Sequence, residues 1–200
     1  MKRLLLIIVA LIATSTALHA QMMLDARSMY IYNGSPKSFV GTLDNTVVGR
    51  IDFDEAGRIT KLSTDDTYMT FTWRPDNTRI TVKMYANGEN IGVDYINIIE
   101  YTDSISHYEY GGYTIKITFN KWNRMTCIEM EQQGSIARQT NIYHNEKRDA
   151  APCIIDMSAN GMSMHQELID MTLDSYENWI DVTMNINGTI MNQTREIEYY

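Results

Sequence analysis

Four stretches of the chain carry one pattern: a β-type run ending on an aromatic or apolar residue, a polar turn, then a second alternating run. They span residues 51–62, 71–82, 117–128 and 171–182. In the first, Ile51 and Phe53 stand two apart, so strand geometry puts them on one face with Asp52 opposite. Asp54, Asn120 and Asp174 follow directly on the last apolar residue of three units, whereas the second unit has Arg74 there. A short Asp or Asn side chain at a strand end hydrogen-bonds its own backbone two residues on and starts a turn. Gly57, Asn77 and Asn123 suit a positive φ near the turn end. Each unit therefore reads as a β-hairpin with a loop of about four residues.

Shorter turn signals fall between these units. Asn87-Gly88 and Asn187-Gly188 fit two-residue hairpin turns, with Gly111-Gly112, Gln133-Gly134 and Asn160-Gly161 as weaker versions. Thirteen tyrosines and many Thr and Ile suit half-buried pleated surfaces. Residues 164–171 are the one stretch where a short helix competes, and it too reads as strand. A lone hairpin cannot bury its apolar face, so neighbours must stack or extend one sheet. The expected fold is all-β: repeated antiparallel β-hairpins in a long twisted or curled sheet, with a compact β-sandwich as the alternative. Arg195, Glu196 and Glu198 read as protection of an exposed edge strand. An outer-membrane barrel is not expected. One face of the last strand would carry Glu198, Glu196, Thr194 and Asn192, the other Tyr199, Ile197, Arg195 and Gln193, and neither suits lipid.

The units Phe53-Asp54…Gly57-Arg58-Ile59-Thr60, Phe119-Asn120…Asn123-Arg124-Met125-Thr126 and Leu173-Asp174…Asn178-Trp179 resemble the YD-repeat (RHS-like) proteins in their short secreted bacterial form. The resemblance covers roughly residues 47–200, and no unit holds a Tyr-Asp pair. In large members such hairpins wind into a hollow shell around a toxin. This chain is too short for that role, so the resemblance implies a hairpin-repeat fold and no toxin activity.

The first twenty residues have the layout of a secretory signal peptide: Lys2 and Arg3, an unbroken apolar run over residues 4–12, and small residues through Ala20. Nine apolar residues are too few for a membrane span, which needs roughly 20. Cleavage after Ala20 or after Ala17 leaves a single domain, residues 21–200, exported to the periplasm or cell surface. Without Lys2 and Arg3, 15 of the 17 basic residues face 25 acidic ones. That balance repels phosphate backbones and anionic membrane surfaces, so neither nucleic acid nor membrane insertion is expected. Cys127 and Cys153 could form a disulfide in an oxidising compartment or remain two buried thiols.

No catalytic or metal-binding constellation stands out, and no cofactor is implied. His165-Gln166-Glu167 lacks the downstream Pro-Cys-x-x-Cys of zinc deaminases. Asp65-Asp66 is a pair in sequence, but adjacent strand residues face opposite ways. Trp73 occupies a core slot and Trp179 begins a return strand. Trp122, inside the polar turn Asn120-Lys121-Trp122-Asn123, is the aromatic to expect at the surface, where it would serve binding. The leading expectation is a non-enzymatic module that meets an envelope or surface protein by strand addition. The alternatives are a glycan-binding protein using Trp122 and tyrosines, and a glycoside hydrolase-like enzyme whose carboxylates meet only in the fold.

Overall fold

The computed structural model describes residues 24–43, 46–64 and 66–200. The signal segment, both cleavage points and Asp65 lie outside the described residues. After a 3₁₀ helix at Ala26–Met29 come β1 (Pro36–Leu43), β2 (Thr46–Phe53), β3 (Ile59–Ser63), β4 (Thr67–Trp73) and β5 (Arg79–Ala86). Next are β6 (Glu89–Tyr101), β7 (Ile105–Tyr110), β8 (Tyr113–Phe119), β9 (Met125–Gln132) and β10 (Ser135–Ile142). The chain ends with β11 (Ile154–Ala159), β12 (Met162–Leu173), β13 (Trp179–Ile186) and β14 (Thr189–Tyr199).

The four repeat units are the hairpins β2–β3, β4–β5, β8–β9 and β12–β13, and residues 164–171 are strand. Their turns use the expected chemistry. Asp54 Oδ1 accepts from the N–H groups of Ala56 and Arg58, Asn120 Oδ1 from Trp122 and Arg124, and Asp174 Oδ1 from Tyr176 and Asn178. Where Arg74 replaces the Asx residue, Asp76 takes over and accepts from Thr78. Gly57, Asn77, Asn123 and Glu177 hold the positive φ.

The sheet is neither open nor folded into a sandwich. Every strand pairs antiparallel with its sequence neighbours, and β14 pairs with β1, giving a closed barrel of 14 strands. Closure is carried by pairs such as Phe39↔Ile197, Gly41↔Arg195 and Leu43↔Gln193. These residues lie at opposite ends of the chain, so nothing in the local alternation announces their pairing. The expected edge at the C-terminus is therefore an internal strand along its pairing with β1. Glu196 and Glu198 point outward there, Lys37 Nζ donates to Glu198 at 2.8 Å, and Arg195 points inward.

Alternation fixes what each wall face presents. Directly paired residues share a face, and the buried cluster identifies the inner one. Phe39, Ile51, Leu62, Met69, Phe71, Val82, Ile96, Ile98, Tyr108, Ile115, Ile117 and Ile128 form a continuous apolar inner surface through their pairings. The opposite positions carry Arg50, Asp52, Lys61, Lys83, Glu100, Glu109, Lys116, Glu129, Glu131, Arg138, Asp156, Glu167, Asp181 and Glu196. Farther round the wall the inner face also carries Gln139, Asn141, Gln166, Gln193 and Arg195, and the outer face mixes its charges with exposed apolar residues such as Val93, Tyr95, Ile136, Ile142 and Ile190.

The long Asx turns gather at one mouth, and residues 24–31 enter it. Leu24, Ala26, Met29 and Ile31 are buried with the wall residues Ile51, Phe53, Ile59 and Phe119. Removing each large side chain from water contributes about 1.5–3 kcal/mol. Asp25 caps the 3₁₀ helix by accepting from the Ser28 N–H, and Ala26 N donates to Gly57 O. Arg195 ties this plug to the wall: its guanidinium donates to the carbonyls of Trp179 (2.6 Å), Met29 (2.6 Å) and Tyr30 (2.9 Å) and lies 3.7 Å from the Trp179 ring centroid. Asn178, fully buried, accepts from Tyr32 N and Asn33 N and donates to Asn33 O and the Tyr199 hydroxyl. Gly34 then turns the chain into β1 at φ 75°, with the Tyr199 ring 2.7 Å from where a Cβ would stand. Only glycine fits both the space and the angle.

Around the plug, buried tyrosines hold an alkaline limit. Burial raises the hydroxyls of Tyr30, Tyr101, Tyr108 and Tyr143, and pushes Tyr32 up to about 12. Unfolded tyrosine titrates near 10. Stability is therefore complete below about pH 10 and falls as pH rises above it, because the unfolded chain loses these protons first. Part of the tyrosinate absorbance is expected to appear only as sheet circular dichroism is lost. Full ionisation near pH 10 with the sheet intact would contradict this burial.

Candidate binding surfaces

β6 is far longer than the strand that follows it. It pairs with β5 along its whole inner half, Ala86↔Glu89 to Arg79↔Asn97, but with β7 only from Asn97 to Tyr101. Among the described residues, 89–96 have a ladder on one side alone. The outward side chains of this segment are apolar: Ile91 is 65 % exposed, Val93 49 % and Tyr95 48 %. Asn90 Oδ1 accepts from Gly92 N within the bulge opposite Tyr85. Next to this strip the outer rings of Tyr68 and Tyr85 stack, with centroids 4.5 Å apart. Cations border the patch, with Arg79 5.2 Å from the Tyr95 centroid and Lys61 Nζ 4.7 Å from that of Tyr68.

A concavity of about 390 Å³ opens at the plugged mouth between Asp25, Arg27, Glu55, Tyr101 and Asp103. Its buried carboxylate is fully engaged. Asp25 accepts from Ser28 N, Ser28 Oγ, the Tyr101 hydroxyl at 3.0 Å and the Arg27 guanidinium at 2.8 Å. Desolvation and the neighbouring Asp25 raise the Tyr101 hydroxyl further. A carboxylate so saturated positions the plug and holds no lone pair ready for proton transfer. Among the described residues, no group of three or more His, Cys, Asp or Glu could hold a metal ion.

The residues singled out by sequence do not converge. Trp122 is 36 % exposed on its Asx turn at the plugged mouth, with Lys121 Nζ 4.4 Å from its ring centroid. The tyrosines of the outer patch are on other strands, so no single face gathers these aromatics. Trp73 packs against the core and donates from Nε1 to Ile59 O, and Trp179 is buried under Arg195. Cys127 and Cys153 are separate thiols. Cys127 is on β9 and Cys153 directly precedes β11, so β10 runs between them. Two strand spacings amount to roughly 9–10 Å, beyond the roughly 7 Å limit for bridged Cα atoms. His165 faces outward with Nδ1 2.6 Å from Asp156 Oδ1. Asp66 is at the β3–β4 turn, its carbonyl accepting from Asn87.

The β6 surface carries no motif, yet the spacing of the turns signals it. The Asn87-Gly88 turn and the bend at residues 102–104 enclose 13 strand residues, whereas the next segment before Gly111-Gly112 has six. Unequal lengths between successive turns require one strand to outrun its neighbour.

No protein-family model matches the chain, and no curated protein matches it. Among solved structures it is similar to a porin-like protein from Bacteroides vulgatus, with 12 % identity and a TM-score of 0.43, over 82 % of this chain and 98 % of that one.

Proposed function

We propose that the chain is an exported, non-enzymatic interaction module whose target is an envelope or surface protein, bound by strand addition along residues 89–96 of β6. One observation carries the reading: this segment has a backbone ladder on one side only, and its outward side chains, Ile91, Val93 and Tyr95, are apolar and exposed. An extended partner segment gains main-chain hydrogen bonds along such an edge and side-chain contacts on its outer face. Natural sheets blunt free edges with charges, Pro or bulges; this segment has a bulge at residues 90–92 and the inward Asp94, while its outward positions 91, 93 and 95 carry neither charge nor Pro. The signal-type N-terminus supports export. Charged residues such as Lys83, Lys116, Glu129 and Asp156 interrupt the exposed apolar ones on the outer wall, which supports a barrel surrounded by water, since a lipid-facing band is continuously apolar. The YD-like units belong to this reading as the devices that build the mouth opposite the binding tip.

Site-specific photo-crosslinking tests it. A photoreactive residue in place of Val93 is expected to capture one dominant envelope protein in the native cell. The same residue in place of Thr140, on the outer face of β10, is expected to capture none of it. Equal capture from both positions, or recovery of the protein alone, would remove strand addition at β6 as the function.

A further inference from the structure

The inner wall changes character toward the mouth opposite the plug. Near the plug it is built mainly of Ile, Phe, Val and Leu, with Met125 among them. Toward the two-residue turns methionine becomes frequent, among Gly, Ala and Tyr. On the inner face of β9–β12 one row across the strands reads Met130, Ala137, Ala159, Met162, and the next reads Ile128, Gln139, Met157, Met164. Two alanines thus form a floor bordered by four thioethers. Met157 and Met164 face each other directly, and Met162 is two residues before Met164 on the same face.

Packing alone does not account for this choice. Methionine fills irregular gaps in closed cores, but Met157 and Met164 are half-buried and Met162 is 65 % exposed. At half-exposed strand positions β-branched and aromatic residues fit better. Thioethers have a distinct property: they are soft, uncharged donors that select Cu(I) over hard or borderline cations. Directly opposed strand side chains have Cβ atoms about 4.5–5.5 Å apart, within reach of one shared ion for flexible methionines. We propose that Met157, Met162 and Met164 form a binding site for a soft monovalent cation, Cu(I), at the open mouth. The site is independent of partner binding at β6.

Silver(I) is a redox-inert probe for it. Full-length mature protein with ¹³C-methyl methionine is titrated with Ag(I), and the methyl resonances are followed. Shifts confined to Met157, Met162 and Met164, saturating near one ion per chain, are expected, while Zn(II) leaves them unmoved. In a Cys127→Ser, Cys153→Ala background, Cu(I) retained against a chromogenic chelator is expected to fall at least tenfold on combining Met157→Leu, Met162→Leu and Met164→Leu. Leucine conserves volume and should leave the fold intact. Shifts absent with Ag(I), or retention unchanged by the triple substitution, would overturn the site. Shifts produced by a fatty acid and not by Ag(I) would overturn it in favour of an apolar ligand.

Discussion

Replacing Arg195 by Ala is expected to destabilise the protein by about 3–5 kcal/mol, because three buried carbonyls lose their donor. Against a usual domain stability of about 5–15 kcal/mol, that is a large fraction. Arg195 is 4 % exposed, and burial lowers its guanidinium to about 9. Two effects oppose each other in the substitution. Removing an ion that bonds to no carboxylate among the described residues, and feels Asp174 only at a distance, relieves desolvation. Three buried carbonyls, of Trp179, Met29 and Tyr30, lose their donor at the same time, each costing about 1–3 kcal/mol. The carbonyls prevail because they belong to both plug and wall and cannot turn to water without separating the two. Arg195→Met, which keeps most of the volume, should lose nearly as much. Denaturant unfolding measures both, and an apolar dye should bind the variants as residues 24–31 leave the mouth. A loss below about 1 kcal/mol in both would show that the guanidinium holds nothing together.

Asn178→Ala should follow at about 2–4 kcal/mol. Its amide satisfies Tyr32 N, Asn33 N and Asn33 O and meets the Tyr199 hydroxyl, which in turn donates to Asp174 Oδ2 at 2.5 Å. Two backbone N–H groups and one carbonyl, all partly buried, would lose their partner. Asn178→Asp separates geometry from donor count: it can still accept from both N–H groups but cannot donate to Asn33 O. It should lose less than Ala at pH 7. Equal stability of all three proteins would mean that the Tyr32–Asn33 segment is held by other contacts.

These two residues also mark how far the sequence could be read. Asn178 was visible as part of a turn, because Asp174 and the apolar residue before it repeat a local pattern. Its second role, gripping a segment about 145 positions earlier, has no local signature. Arg195 was visible as a charge in a strand and was read as guarding an edge. Its burial follows from closure, which places Gly41 opposite it and the plug above it. Hairpins, turn types and inward–outward alternation are properties of a few consecutive residues, so they were legible. Closure depends on β1 meeting β14 and on the summed stagger of all the strands. The β6 surface is intermediate: spacing between turns encoded its overhang, but only the closed wall shows which side lacks a ladder. The chain also encloses more than its length suggested, since the barrel surrounds its own N-terminal segment.

The closed, apolar-filled barrel is most directly tested by joining its first and last strands. Val40 and Glu196 are paired on the outer face, and a directly opposed pair is close enough for a disulfide. In a background lacking Cys127 and Cys153, the double variant Val40→Cys, Glu196→Cys is oxidised mildly and run on a non-reducing gel. Near-complete intramolecular bridging, with sheet circular dichroism unchanged, is the result a closed barrel gives. Free thiols or intermolecular dimers from a folded protein would mean that β1 and β14 do not meet, and the barrel would have to be abandoned for an open sheet.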